Sequence, residues 1–317
     1  MKHNIFLFRD VNEKGRKILE ENNCNILISG SEDPEKCRKL LKNAEGIFTR
    51  NENVSREIID MAPNLKVIAK HGVGYDNIDI DYATKKKIQV VYVPKGNLES
   101  VADMAMLHIL ASARKYRYSQ EQFIKGNYNV RFEMNNTYEL GGKVLGLVGC
   151  GNIAKAVAKR AAYGFGMRVM GYDPYAKFDK DVPIRLLDTR EELLRISDFV
   201  SVHLPSLPDT IHSFGLKEFK EMKDTAYFIN TSRGNIVCEN ELIEALQKNI
   251  IAGAGLDVFE EEPLPVGHPF LTMSNVSVTP HCAGLTNEAS ENNSEMGAKG
   301  IVDVLNNRTP QFPVNHI

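Results

Sequence analysis

The chain has 317 residues, which at a usual size of roughly 150 residues per domain suggests about two domains. Hydrophobic residues make up 43% and charged residues 25%, an ordinary globular composition that excludes disordered and collagen-like chains. The 39 Lys and Arg residues against 41 Asp and Glu give a formal net charge of -2, so no general attraction to nucleic acid or to an acidic membrane is expected.

The start of the chain and its cysteines predict a cytoplasmic protein. The first residues become charged too early for a signal peptide, and the longest apolar stretch, residues 104–113, is far shorter than the roughly 20 residues that span a bilayer. The 5 cysteines are scattered and lack the CxxC spacing of a zinc site. Reduced thiols are therefore expected, and no metal site is predicted.

Short apolar runs alternate with helical patterns in the first third of the chain, which predicts parallel strands joined by right-handed crossovers. Asp33 followed by Pro34 predicts a helix start, because Asp caps the first turn and Pro suits its first position. The predicted strands are residues 5–9, 25–29, 46–50, 66–71 and 89–93, and the predicted helices include residues 13–22, 55–62 and 78–87.

A long helix is predicted over residues 100–115, with His108 on the face that also carries Val101, Ala105 and Ser112. Residues 116–140 are polar and weakly periodic, so they are interpreted as an extended arm, with a surface loop as the alternative.

A second alternating series begins at Lys143. Its predicted strands are residues 144–148, 168–172, 199–204, 226–230, 252–258 and 276–279, and its predicted helices include residues 153–165, 191–197, 217–223 and 240–249. A final helix over residues 287–307 follows this series and is expected to pack on the first domain. The prediction is an α/β fold with two doubly wound parallel-sheet domains.

The segment from Gly149 to Ala154 has the form G-x-G-x-x-A, between a strand and an alanine-rich helix, which is typical of a Rossmann dinucleotide-binding loop. Gly149 would allow the tight turn, and Gly151 would let the backbone approach a pyrophosphate. Asn152 and Ile153 begin the helix, whose free N–H groups favour phosphates. A glycine turn with no ligand is the alternative.

Asp173 directly follows the next predicted strand and lies 173 − 149 = 24 residues after Gly149. This spacing is close to the roughly 20 residues expected for the acid that binds the adenosine ribose. A carboxylate accepts hydrogen bonds from both ribose hydroxyls but repels a 2′-phosphate. The sequence therefore favours NAD over NADP, although Lys177 is near.

Three more polar side chains follow strand ends: Arg233, Glu262 and His281. The carboxyl ends of parallel strands share one edge of a sheet, so these residues are expected to converge near a bound nicotinamide. Taken singly, each has an ordinary alternative: an ion-pair arginine, a solvated glutamate or a core histidine.

Several segments, over nearly the whole chain, resemble the D-isomer-specific 2-hydroxyacid dehydrogenases, most closely their phosphoglycerate dehydrogenase and hydroxypyruvate reductase branches. The segments that carry the resemblance are residues 72–79, 97–103, 149–154, 230–234, 255–259 and 279–284. It implies a discontinuous flavodoxin-like substrate domain, residues 1–98 plus 287–317, and a Rossmann NAD-binding domain, residues 99–286. It also implies a homodimer.

The resemblance assigns catalysis to Arg233, Glu262 and His281. Protonated His281 would donate a proton to the carbonyl oxygen of a 2-keto acid, or take it back in reverse. Glu262 would orient the ring and favour its protonated form, and Arg233 would bind the substrate carboxylate. The small 2-keto or 2-hydroxy acid would be of the 3-phosphoglycerate, glycerate/hydroxypyruvate or glyoxylate type.

Other site residues are also implied by the resemblance. The predicted substrate-binding residues, besides Arg233 and His281, are Arg50, Val73, Gly74 and Asn97. The cofactor pocket would further include Leu204, Pro205, Thr231, Ser232, Asp257, His281 and Gly284. The alternative interpretation of Arg50 is a solvated surface arginine, and the alternative interpretation of Asn97 is a cap of the long helix.

Two other functions share this fold family. A non-enzymatic NAD-sensing corepressor is the alternative to the dehydrogenase. A formate dehydrogenase would carry glutamine in place of Glu262, so Glu262 argues against it.

Overall fold

Two parallel sheets organise the computed structural model, which describes residues 2–176 and 182–317. The chain divides into two compact units, Met1–Leu98 together with Leu285–Ile317, and Glu99–Gly284. The α/β prediction with two doubly wound sheets is confirmed.

In the first unit the strand order is β2-β1-β3-β4-β5, the flavodoxin-like order, and every pairing is parallel. The strands are β1 (His3–Leu7), β2 (Cys24–Ile28), β3 (Gly46–Thr49), β4 (Val67–Lys70) and β5 (Gln89–Val91). The helices are α1 (Glu13–Glu21), α2 (Pro34–Leu41), α3 (Arg56–Asp60), α4 (Ile80–Lys85) and α12 (Asn287–Leu305).

Local sequence sets the helix starts of this unit. Asp33 caps α2 by accepting the Glu35 amide at 3.0 Å, with Pro34 in the first turn, as the sequence predicts. Helix α12 packs against α1 and β4. Gly15 of α1 allows this close approach, because a Cβ there would lie 2.7 Å from the carbonyl oxygen of Ser294.

In the second unit seven parallel strands follow the order β12-β11-β10-β9-β6-β7-β8. The first of them in sequence, β6, lies inside the sheet between β9 and β7. The strands are β6 (Val144–Val148), β7 (Arg168–Tyr172), β8 (Arg185–Leu186), β9 (Phe199–Val202), β10 (Tyr227–Asn230), β11 (Gly253–Leu256) and β12 (Val276–Val278). The helices are α5 (Leu98–Ala113), α6 (Tyr116–Ile124), α7 (Val130–Glu133), α8 (Asn152–Lys159), α9 (Arg190–Ile196), α10 (Leu216–Glu221) and α11 (Glu239–Gln247). Strand β6 is buried along its whole length, as expected for a strand covered on both faces.

The predicted extended arm over residues 116–140 is wrong, because this segment contains α6 and α7. Helix α6 buries none of its side chains, so it has no apolar stripe for a periodicity argument to detect. It is held instead by polar contacts: Arg117 pairs with Glu121 at 2.7 Å and donates to backbone carbonyls of residues 270, 271 and 276.

Candidate active site

The last residues of six strands in the second unit lie side by side in one row of the sheet. Parallel pairing links these residues in order across the sheet: Tyr172, Val148, Val202, Asn230, Leu256 and Val278. Everything that directly follows these residues in sequence therefore begins at the same edge. The glycine loop, Asp173, the Arg233 turn and the segment before His281 all do so.

The glycine loop is shaped by backbone contacts that exclude side chains. Gly149 has φ of +83°, and a Cβ there would lie 2.8 Å from the carbonyl oxygen of His203. Gly151 differs, because a Cβ on it would meet no protein atom within 4 Å. Helix α8 starts directly after Gly151, with no side chain capping its first turn. The start of α8 is thus uncapped by a side chain, and the space beside Gly151 is open.

Asp173 lies beside this loop. Its carboxylate accepts the amide of Cys150 at 2.9 Å and the amide of Tyr175 at 2.9 Å. Its position fits an acid at the end of the second strand of a Rossmann domain. Lys177, which the sequence places near it, lies outside the described residues.

The Cys150 thiol is enclosed within the loop and is 2% exposed. Burial, together with the negative charge of Asp173, raises the pKa of this thiol to about 12.

A compact turn presents Arg233. The Asn230 side chain accepts the Ser232 amide at 3.0 Å and donates to the Arg233 carbonyl at 2.8 Å, which closes the turn. Gly234 then lies against the next loop, since a Cβ on it would be 1.9 Å from the carbonyl carbon of Phe259. The loop that carries Arg233 and the loop that leads to Glu262 are therefore packed backbone to backbone.

Glu262 and His281 are in direct contact: Glu262 Oε2 lies 2.6 Å from His281 Nδ1. The other oxygen of Glu262 accepts the Phe259 amide at 3.0 Å. Burial alone would raise the pKa of Glu262, but the hydrogen bond and charge of His281, the Phe259 amide and the charge of Arg233 hold this pKa below its usual value. The carboxylate is therefore the ionised partner in this pair, with Arg233 close enough to influence it.

His281 is held in the left-handed backbone region, with φ of +50°, which is uncommon for a residue with a side chain. Its amide donates to the Asp257 carbonyl at 2.8 Å. The Asp257 side chain is fully buried and accepts the amides of Cys282 at 2.9 Å and Ala283 at 2.8 Å. In this structure Asp257 thus holds the loop that carries His281, and its predicted contact with the nicotinamide stays a prediction.

The other predicted cofactor residues lie along the same edge. Thr231 is 7% exposed, and its Oγ1 atom is buried without a hydrogen-bond partner. Ser232, Leu204 and Gly284 are half-buried and Pro205 is exposed. The unpartnered hydroxyl, the open space at Gly151 and the uncapped start of α8 fit a dinucleotide.

The predicted substrate residues of the first unit follow β3, β4 and β5. The Arg50 guanidinium donates to the Asp10 carbonyl at 3.0 Å, while its Nε atom is buried without a partner. Val73 and Gly74 are half-buried and come directly after Gly72, which has φ of +147°. Asn97 has a buried Oδ1 atom without a partner.

The hydrogen-bond partners of His108, near this site, are not predicted from the sequence. His108 of α5 is 1% exposed and hydrogen-bonds Ser277 and Thr279, each at 3.1 Å. Sequence reasoning places it on the buried face of the helix but supplies no partner, because both hydroxyls lie far along the chain. The available signal is a histidine on a buried helix face whose other residues are small or apolar.

Within residues 2–176 and 182–317, no group of His, Cys, Asp and Glu side chains could hold a metal ion. Among the helices of those same ranges, none combines the length and apolar character that crossing a membrane requires.

Comparisons with known proteins agree with this arrangement. A family model described as the NAD binding domain of D-isomer specific 2-hydroxyacid dehydrogenases matches residues 106–283. A glyoxylate reductase of Korarchaeum cryptofilum is 36% identical over 322 residues, covering 99% of this chain and 96% of the relative. A D-3-phosphoglycerate dehydrogenase of Methanocaldococcus jannaschii is 38% identical over 315 residues, covering 98% of this chain and 59% of the relative.

Two solved structures show the same fold with different cofactors. An NAD+-bound 3-phosphoglycerate dehydrogenase of Entamoeba histolytica superposes with a TM-score of 0.85 at 26% identity and covers 100% of each chain. A glyoxylate/hydroxypyruvate reductase of Sinorhizobium meliloti, in complex with NADP and malonate, gives a TM-score of 0.85 at 25% identity over 99% of this chain and 97% of that one.

We predict that Gly234→Ala destabilises the protein by about 1–3 kcal/mol, because the new methyl group would overlap the Phe259 backbone and push the two loops apart. Thermal unfolding measures this. Gly164→Ala is the matched control, since its Cβ would meet nothing within 4 Å. Equal melting temperatures for the two variants would contradict the backbone packing described.

Proposed function

Since the chain belongs to the D-isomer-specific 2-hydroxyacid dehydrogenase family, we propose that it transfers a hydride between NAD(H) and a small D-2-hydroxy acid or 2-keto acid. Family membership makes it an oxidoreductase that acts on CH–OH donors. The proposed substrates are of the 3-phosphoglycerate, glycerate/hydroxypyruvate or glyoxylate type, because the relatives are named as enzymes that act on such acids. The observation that carries the proposal is the 2.6 Å contact between Glu262 and His281 at the strand edge that also bears the glycine loop.

The nicotinamide cofactor supplies or accepts the hydride when it is bound. Gly149, Gly151, Asn152 and Ile153 would hold its pyrophosphate at the start of α8. The Thr231 hydroxyl, buried without a partner, would gain one from the cofactor. The rest of the proposed pocket consists of Ser232, Leu204, Pro205, Asp257, His281 and Gly284.

NAD is the proposed cofactor in preference to NADP. The Asp173 carboxylate accepts two backbone amides and keeps further lone pairs for ribose hydroxyls. A 2′-phosphate next to this carboxylate would be repelled.

His281 is the proposed acid and base. Its Nδ1 atom faces the ionised Glu262, so Nδ1 carries a proton and Nε2 is left to exchange one with the substrate oxygen. The carboxylate fixes the ring orientation and stabilises the imidazolium. Arg233 binds the substrate carboxylate and stabilises the negative charge that develops on the carbonyl oxygen.

In the first unit, the Val73 and Gly74 amides are proposed to bind the substrate carboxylate, with Arg50 and Asn97 as further substrate contacts. The buried atoms without partners, Nε of Arg50 and Oδ1 of Asn97, support this role. An orphaned polar atom of this kind gains a hydrogen bond when a polar ligand arrives.

Matched relatives are named as reductases and dehydrogenases, and nothing in the comparisons favours the corepressor alternative. We place the enzyme in the cytoplasm, which is supported by its free thiols: all 5 cysteines are unpaired.

A homodimer is also proposed. Helices α6 and α7 and the residues between them expose large apolar side chains, among them Ile124 and Phe132, each 76% exposed. Such clustered exposure is typical of an interface with a second copy.

The experiment that tests the function follows NADH and NADPH oxidation with hydroxypyruvate, glyoxylate, 3-phosphohydroxypyruvate and pyruvate. We predict turnover with NADH, and a fall of about 10²–10⁴-fold in kcat for His281→Ala, because the proton donor is lost. NADH affinity is expected to fall far less than kcat, because the other residues of the proposed cofactor pocket remain. The exposed His316→Ala is the control, and normal turnover of His281→Ala would refute the acid–base role.

Arg233→Lys is predicted to lower kcat/KM for the keto acid by about 10–100-fold, because lysine keeps the charge but lacks the planar fork. Arg114→Lys, at an exposed residue directly after α5, is the control for loss of a guanidinium. Equal keto-acid kinetics for both variants would contradict the assignment.

Gly151→Ala is predicted to weaken NADH binding by roughly tenfold, since its methyl group would occupy the space reserved for the pyrophosphate. Its melting temperature is expected to stay at the wild-type value, because that methyl meets no protein atom within 4 Å. NADH titration by fluorescence measures the affinity, and unchanged affinity would remove the loop from the cofactor site.

Sedimentation equilibrium tests the dimer, which we predict at twice the chain mass of 35.5 kDa. Phe132→Asp would shift it to a single chain, while Tyr175→Asp, at a 90% exposed residue, would not. A wild-type mass of 35.5 kDa at micromolar protein would rule the dimer out.

A further inference from the structure

Both ring nitrogens of the buried His108 are hydrogen-bonded to hydroxyls of one strand and the residue after it. Nδ1 lies 3.1 Å from Ser277 Oγ in β12, and Nε2 lies 3.1 Å from Thr279 Oγ1. The ring has no room to move toward the sheet, because Gly255 of β11 lies directly beneath it. A Cβ on Gly255 would be 2.6 Å from the Cβ of His108.

The direction of these bonds follows from the next group in the chain of contacts. Thr279 Oγ1 lies 2.5 Å from Asp257 Oδ1, and a carboxylate oxygen carries no proton, so it can only accept. The Thr279 hydroxyl therefore donates its one proton to Asp257. The thioether of Met104, 3.9 Å from the same hydroxyl, is a far weaker acceptor.

Because the Thr279 hydroxyl donates its proton to Asp257, Thr279 Oγ1 accepts the hydrogen bond from His108. Nε2 of His108 must then carry the proton, and Nδ1 accepts from the Ser277 hydroxyl. Burial lowers the pKa of His108 to about 4, although the charge of Asp257 opposes this shift, so the ring is neutral at ordinary pH. The polar contacts thus fix one tautomer of a neutral ring.

Asp257 connects this chain of hydrogen bonds to the candidate catalytic histidine. Its side chain holds the amides of Cys282 and Ala283, and its carbonyl accepts the amide of His281. These bonds surround a residue in the uncommon left-handed conformation. Such a conformation persists only where its surroundings determine it.

We propose that His108 is a positioning residue: as an Nε2–H donor it fixes Thr279 and Asp257, and through them the backbone on which His281 is presented. The proposal rests on the proposed function for the role of His281. The tautomer and the hydrogen-bond chain can be measured without any turnover.

The first test is NMR on the protein with ¹⁵N-labelled histidine, in which His108 is assigned by the signals that His108→Gln removes from the set of 8 histidines. At pH 7 we expect His108 to be neutral, with its proton on Nε2. A neutral Nδ1–H form, or a protonated ring at pH 7, would overturn the proposal.

The second test compares three replacements at one position. A glutamine amide reaches as far as Nε2 and can donate to Thr279, an asparagine amide reaches only as far as Nδ1, and leucine can do neither. We expect kcat to fall by roughly 10–100-fold in His108→Leu and His108→Asn, as for a small displacement of a reacting group. His108→Gln restores most of it, and NADH affinity changes less than kcat in all three, because the glycine loop and Asp173 are untouched.

Ser277→Ala and Thr279→Val are the matched controls, since each removes one hydroxyl contact of the same ring. Thr279→Val is expected to lower kcat as His108→Leu does, with no further loss in the double variant, because both break one path. Ser277→Ala is expected to keep normal kcat. Melting temperatures identify any variant that fails to fold, and ¹⁵N signals of His281 report its environment in the same samples.

The outcomes separate cleanly. Equal kcat for the leucine, asparagine and glutamine variants, or an effect of Ser277→Ala as large as that of Thr279→Val, would overturn the positioning role. If the wild-type protein turned over none of the keto acids, the proposed function would fail. The tautomer measurement and the His281 signals in His108→Leu would then still decide whether His108 positions this loop.

Discussion

Lateral pairing of parallel strands is the constraint on which the candidate site depends. Because Val148, Val202, Asn230, Leu256 and Val278 form one row, the segments that follow them start at one edge of the sheet. Val148 and Val202, which are 202 − 148 = 54 positions apart along the chain, are direct neighbours in this row without any special connection. The side chains differ in chemistry, but the backbone ladder alone decides that they are neighbours.

Glycines and buried polar side chains then bring the loops at this edge into direct contact. Gly234 lets two loops touch through their backbones, and Asn230 closes the turn between a strand and Arg233. Asp257 holds the loop on the other side. The loops that carry the site are therefore held by hydrogen bonds that are partly or fully buried, where such bonds are stronger than in water.

The sequence predicts the two sheets, the glycine loop and the residues at the strand ends well, because these depend on patterns within a few residues of one another. It fails at α6 and α7, where the helices bury little and periodicity carries no signal. It also fails to connect His108 with Thr279 or Asp257 with Cys282, since a hydrogen bond between distant segments depends on where the whole sheet places them. The two-residue strand β8 is missed for a simpler reason: it is exposed and too short for an alternating pattern.

The enclosed thiol of Cys150 has a chemical consequence for the dinucleotide loop. Only a thiolate attacks electrophiles or is readily oxidised, and a buried thiol beside a carboxylate yields very little thiolate at neutral pH. We therefore expect the glycine turn to react slowly with peroxide and with alkylating reagents, even though a sulfur atom is at its centre. Cys238 and Cys282 are less enclosed, and Cys282 directly follows His281, so these two thiols are the more accessible targets for such compounds.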